Sequence, residues 1–151
     1  MDKLPPIEKI PEAYSAIVDE RVIMRKSEAE IRSSNGSKNY IVRWEGDTYS
    51  STDSATYWQG YAGYPVLSVL MLQGKLPLNR EVAGCFGGIN WADLNKRYNR
   101  DYGAAFAEIL NNIRQRGTDT TVIIDEIEKV YGLLPTLPIV TKRGRENRRG
   151  E

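Results

Sequence analysis

The sequence predicts an α+β fold: an antiparallel three- or four-stranded meander packed on a buried helix, followed by a helical C-terminal half. Three observations carry this. Tyr40, Val42 and Trp44 alternate with Ile41, Arg43 and Glu45, the period-two pattern of a half-buried strand. Asn35-Gly36 just before that run is a strong hairpin signal, because both positions of the turn must tolerate positive φ. From Trp91 to Ile113, apolar residues recur at spacings of three and four, the stripe of an amphipathic helix.

The elements follow in order. Pro11 opens a first helix with Ala13, Tyr14, Ile17 and Val18 on one face. Val22 to Arg25 and Glu28 to Ser33 read as strands, the second carrying Ala29, Ile31 and Ser33 on one side. Glu45-Gly46-Asp47 is a second turn, and Thr48 to Ser51 a further pairing strand. Pro65 then starts a helix that is apolar nearly all round, Val66 to Leu72, and Gly74 ends it. Asn79 caps a short helix that Gly87-Gly88 terminates, and Asn90 caps the next. That helix is either continuous to Gly117 or divided near Asn99. Thr118 to Tyr131 reads as a final helix, although the β-branched run Val122-Ile123-Ile124 leaves a strand open. Leu134-Pro-Thr-Leu-Pro is expected to be irregular. Trp44, Leu67, Leu70, Trp91, Phe106, Ile109 and Ile127 are expected in the core.

Length and composition narrow the function classes. A chain of 151 residues, 40% apolar and 27% charged, suits one domain that buries roughly 70% of its unfolded surface. Histidine is absent, and Cys85 is the single cysteine, so no four-ligand zinc site can be assembled from Cys and His. No metal and no cofactor is expected. Cys85-Phe-Gly-Gly-Ile lacks the Lys and Ser/Thr of a phosphate-cradling loop. The long uncharged run, Thr56 to Gln73, is too polar and interrupted to span a bilayer, and the first residues lack the apolar segment of a signal peptide. A lone cysteine fits a reducing compartment, so a cytoplasmic protein is expected.

The net charge of +1 conceals an asymmetry. Lys142, Arg143, Arg145, Arg148 and Arg149 give residues 141–151 a net +3 and leave the rest at −2. Residues 1–140 are therefore expected to form one domain, and 141–151 a basic, disordered tail. Such a tail is a candidate nucleic-acid contact, since flexible cations can track a phosphate backbone.

The segment with the densest chemistry is Asp47 to Met71. Tyr49, Tyr57, Trp58, Tyr61 and Tyr64 place five of the fourteen aromatic residues within sixteen positions. These rings are candidate contacts for a partner, a protein or the bases of a nucleic acid. Alternatively they form a core corner or the interface of a homo-oligomer. The stretch from Asp47 to Gln73 holds no Arg or Lys, which argues against phosphate tracking by the loop alone. Asp47 and Asp53, with Glu45 nearby, are the residues a small enzyme would use for acid–base work. The favoured reading is a non-catalytic binding module; a structural, oligomer-forming subunit and a small enzyme are the alternatives.

The hairpin from Ala29 to Asp53 and the segment Gly63-Tyr-Pro-Val-Leu-Ser-Val-Leu-Met71 together resemble the SWIM domain, a ββα zinc module with the pattern C-x-C, variable loop, C-x-H, apolar helix. Tyr49 and Ser51 stand at the first ligand pair, Gly63 and Pro65 at the second, and Thr52 to Ala62 at the variable loop. Every ligand is replaced, so the resemblance implies a metal-free relative over about residues 29–72. A structural metal contributes on the order of 10 kcal/mol to a small module, and one buried Tyr or Trp about 1.5–3 kcal/mol. Several rings would have to take over the metal's role.

Overall fold

The computed structural model describes residues 1–145. Its elements are α1 (Lys9–Val18), β1 (Val22–Met24), β2 (Glu28–Arg32), β3 (Asn39–Glu45), β4 (Thr48–Ser51), α2 (Tyr64–Leu72), α3 (Arg80–Gly84), α4 (Trp91–Arg97), α5 (Tyr102–Gln115), α6 (Thr120–Leu133) and β5 (Val140–Arg143). A π-helical turn, Ala55–Gln59, joins β4 to α2, and a 3-10 turn, Leu134–Thr136, follows α6. The α+β class and the helical C-terminal half are as expected.

The sheet order is β1-β2-β3-β4-β5. The first four strands form an antiparallel meander in which Ala29 faces Val42 and Val42 faces Ser51. Ala29, Ile31, Val42, Tyr49 and Ser51 are buried on its inner face, against α2. The outer face carries charge: Arg25 lies 3.1 Å from Glu30, and Arg43 lies 3.7 Å from Glu28. Helix α1 packs on α2, α3 and α6. Ser15 of α1 accepts from Trp91 Nε1 at 2.7 Å and donates to the Phe86 carbonyl at 2.5 Å, so the indole N–H is satisfied inside the core.

Local chemistry explains the helix ends. Asn79, Asn90, Asp101 and Asp119 each accept a backbone N–H of the helix they precede. Asn99 and Arg100 both adopt positive φ, 52° and 65°, and this left-handed pair divides α4 from α5.

Several expectations are corrected. The first helix begins at Lys9, with Pro11 inside its first turn, where no intrahelical donor is lost. In the Asn35-Gly36 turn only Gly36 takes positive φ, 74°. Asn35 acts through its side chain, accepting from the Ser37 backbone N–H at 3.0 Å and hydroxyl at 2.7 Å. Trp44 and Phe106 are half-buried rather than core: Trp44 stacks on Tyr49 near the end of β3, and Phe106 packs on Phe86. The final helix forms as expected: Val122-Ile123-Ile124 is helical rather than a strand, because Ile123, Ile127 and Val130 share the buried stripe of α6 while Val122 is exposed. Leu134 to Thr136 form a regular 3-10 turn with Leu134 buried, rather than an irregular stretch.

The largest correction concerns the tail. Val140–Arg143 pairs in parallel with β4, Tyr49 facing Thr141 and Ser51 facing Arg143. Pairing continues as the Gly144 N–H donates to the Ser51 carbonyl at 2.8 Å. A Cβ on Gly144 would sit 2.7 Å from the Ser51 backbone, so only glycine fits this approach. The basic segment expected to be disordered is thus an edge strand as far as Arg143, and the whole helical half is the crossover that parallel pairing needs. Arg148 and Arg149 lie outside the described residues.

Candidate binding cleft at the aromatic turn

Asp53, just beyond β4, organises the turn. The residue is 4% exposed, and its carboxylate accepts from the Ser51 hydroxyl and from the Thr56 N–H at 3.1 Å. Thr56 Oγ1 in turn accepts the Gly63 N–H at 3.1 Å. A Cβ on Gly63 would fall 2.1 Å from Asp53 Oδ2, so the start of α2 closes directly on the carboxylate. Gly60, at φ 75°, ends the π-helical turn. Such turns are rare and concentrate at functional sites.

This scaffold divides the five rings. Tyr49 is fully buried; it stacks on Trp44, donates to Gln73 Oε1 at 2.6 Å and accepts from Lys75 Nζ at 2.9 Å. Tyr64 is half-buried edge-on to Tyr40, with centroids 6.2 Å apart, and burial pushes its phenol well above the ordinary range. Tyr61 is half-buried under Lys3, and Lys3 Nζ also donates to the Gln59 carbonyl. Tyr57 and Trp58 form an edge-to-face pair 4.8 Å apart and turn outward, with Trp58 69% exposed.

β5 delivers the cations that the loop itself lacks. The Arg143 guanidinium lies 5.0 Å from the Tyr57 ring centre and 5.5 Å from that of Trp58. Its Nε donates to the Tyr57 carbonyl at 2.9 Å. Thr141 donates to the Gly60 carbonyl at 3.4 Å, and Arg43 holds the Arg145 carbonyl at 2.7 Å. Between the turn, β5 and the start of β3 lies an open cleft of about 1050 Å³, with Lys38, Asn39, Tyr57, Trp58 and Arg145 among its walls. Ser37, Thr52 and Ser54 add hydroxyls, and none of the described lining residues is a carboxylate. Lys142 points elsewhere: it lines a separate hollow on the outer sheet face with Arg43 and Trp44.

A second, smaller cavity of about 190 Å³ adjoins the cleft through Tyr40 and Ser54. Lys9, Glu12, Arg21, Asp53, Tyr64 and Asn95 line it. Here the charges are matched. Lys9 Nζ lies 3.1 Å from Glu12 Oε2, both side chains being nearly inaccessible, and Asn95 Nδ2 donates to Glu12 Oε1 at 2.6 Å. Burial alone would lower the Lys9 ammonium, but Glu12 and Tyr102 outweigh it and the net shift is upward. Sequence reasoning missed this pair; its one signal, opposite charges three residues apart, is that of any solvated helix face.

The carboxylates considered for acid–base work do not converge. Glu45 and Asp47 are exposed at the hairpin tip before β4, whereas Asp53 is buried beyond its far end. Among the described residues no group of three or more His, Cys, Asp and Glu is placed to hold a metal ion. Among the same residues no helix is long and apolar enough to cross a membrane.

No curated protein and no solved structure matches the chain. A family model matches residues 2–140, which takes in every element up to the first residue of β5. The chain belongs to the family described as uncharacterised conserved protein UCP014422.

Proposed function

We propose that this protein is a non-catalytic binding module whose partner site is the cleft between the aromatic turn and β5. One observation carries the reading: Trp58 is 69% exposed although three carbonyls of the turn that bears it are held by side chains of Lys3, Thr141 and Arg143. A large ring held out by a rigid support costs little entropy when it is covered, which is the property of a binding hot spot. Iodide quenching and solution size test it. The protein should be a monomer whose Trp58 emission, isolated by comparison with Trp58→Phe, is freely quenched. A dimer that shields Trp58 would replace this reading with that of a self-associating structural subunit.

We further infer that the hairpin and α2 form a metal-free relative of the SWIM module. Its support is that Ser51 and Gly63, at two of the four ligand positions of that pattern, meet through Asp53 and Thr56. Stoichiometric zinc in purified protein would reject this.

A further inference from the structure

Resting on the cleft being a partner site, we propose that its ligand is single-stranded nucleic acid, with a base stacked on Trp58 and neighbouring phosphates on Lys38 and Arg145. Charge comes first. Eighteen of the described residues are acidic, yet none of them lines the cleft, whereas two cations do. The cleft therefore selects an anion.

The rings narrow the class. Arg143 lies over the Tyr57–Trp58 pair and leaves the indole largely in solvent, so a planar group can lie on it. A base offers such a face in a sequence-tolerant way, and stacking on an aromatic platform is the usual means of holding single strands. In a duplex both faces of each base are already covered, so the indole finds nothing to stack on. An acidic peptide would satisfy Lys38 and Arg145 but would leave the exposed indole without a partner.

Shape and polarity agree. At about 1050 Å³ the cleft is at the upper end for a small-molecule site, and it is open, as a chain passing through requires. Ser37, Asn39, Thr52 and Ser54 supply uncharged donors and acceptors for sugar and base edges. Arg143 holds the platform: its Nε is bonded to the Tyr57 carbonyl and its guanidinium lies 5.0 Å from the Tyr57 ring centre.

The test is an anisotropy titration of the full chain with labelled mixed-sequence single-stranded RNA, single-stranded DNA and duplex DNA over a salt series. Both single strands should bind, the duplex at least tenfold more weakly. Preference between RNA and DNA reports whether the hydroxyls read the 2′ position. Trp58→Ala should weaken single-strand binding about tenfold with an unchanged salt slope and circular dichroism spectrum. Lys38→Gln and Arg145→Gln should each reduce the log–log salt slope by about 0.7. Equal binding to duplex, full binding by Trp58→Ala, or loss of binding only on removing residues 146–151 would each overturn the proposal. So would displacement by polyglutamate at equal charge concentration, which would point to an acidic protein. No oligonucleotide binding by a monomer with quenchable Trp58 would refute the nucleic-acid inference alone. A dimer that shields Trp58 would refute the partner site with it.

Discussion

Two neighbouring hollows share Tyr40 and Ser54 and are built on opposite principles. In the smaller one the buried charges meet partners: Lys9 lies beside Glu12, Asn95 donates to Glu12 Oε1, and Asp53 accepts from Ser51 and Thr56. In the larger one Lys38 and Arg145 have no carboxylate among the described lining residues, and an indole is left in solvent. Buried charge that is fully matched serves the fold, because removing either partner strands the other in a low dielectric. Charge of one sign around an exposed ring contributes little to the fold, and its balance can come from a ligand. The difference teaches that titratable density alone does not mark the functional hollow.

The sharpest way to break this contrast is Glu12→Ala. It leaves the buried Lys9 ammonium without its partner and should cost about 3 kcal/mol, read as a lowered urea midpoint at unchanged slope. Replacing both, Lys9→Met with Glu12→Leu, should return most of that stability, since the apolar pair leaves no buried charge. A loss under about 1 kcal/mol for Glu12→Ala would mean that the small cavity is wet and its pairing incidental.

An intermediate effect is expected in alkali. Tyr64 is pushed up by burial and Lys9 is raised in net, so both hold protons more tightly when folded. Their contribution is complete below the unfolded values of about 10 and 10.5 and fades as pH climbs through the raised folded ones. Stability measured by thermal melting should therefore be level up to about pH 9.5 and fall above pH 10. Tyr64→Phe should make that fall shallower. A melting temperature flat to pH 11 would contradict the assignment.

The smallest effect belongs to the cleft. Trp58→Ala should change stability by no more than about 0.5 kcal/mol, because the ring covers little of the core. A loss above about 2 kcal/mol would show that the Tyr57–Trp58–Arg143 stack is structural, and the contrast between the two hollows would collapse.

Much of this fold is decided within a few residues of each position. Asn79, Asn90, Asp101 and Asp119 cap their own helices, and Gly36 and Gly46 supply positive φ to their own turns. Such local rules are readable from sequence because both partners lie within three or four residues. The alternation of β3 and the apolar run of α2 are legible for the same reason: periodicity states which face will be covered before anything covers it. The candidate residues Tyr57, Trp58, Arg143 and Arg145 were also visible by type.

Tertiary structure alone decided what those residues meet. Arg143 and Tyr57 are eighty-six positions apart, and nothing in the short run Val-Thr-Lys-Arg says that it pairs with the free edge of β4. That pairing depends on the helical half folding back as a crossover and on Gly144 meeting the Ser51 backbone. Likewise Lys9 and Glu12 read as a solvated pair until α4 brings Asn95 onto them. The five rings, alike in the sequence, are sorted into a core tyrosine and an exposed tryptophan only by the Asp53 turn. Charge and aromaticity are properties of a residue, but burial and partnership are properties of a place. The chain determined the first by itself, and long-range packing, whose energetics no local window contains, determined the second.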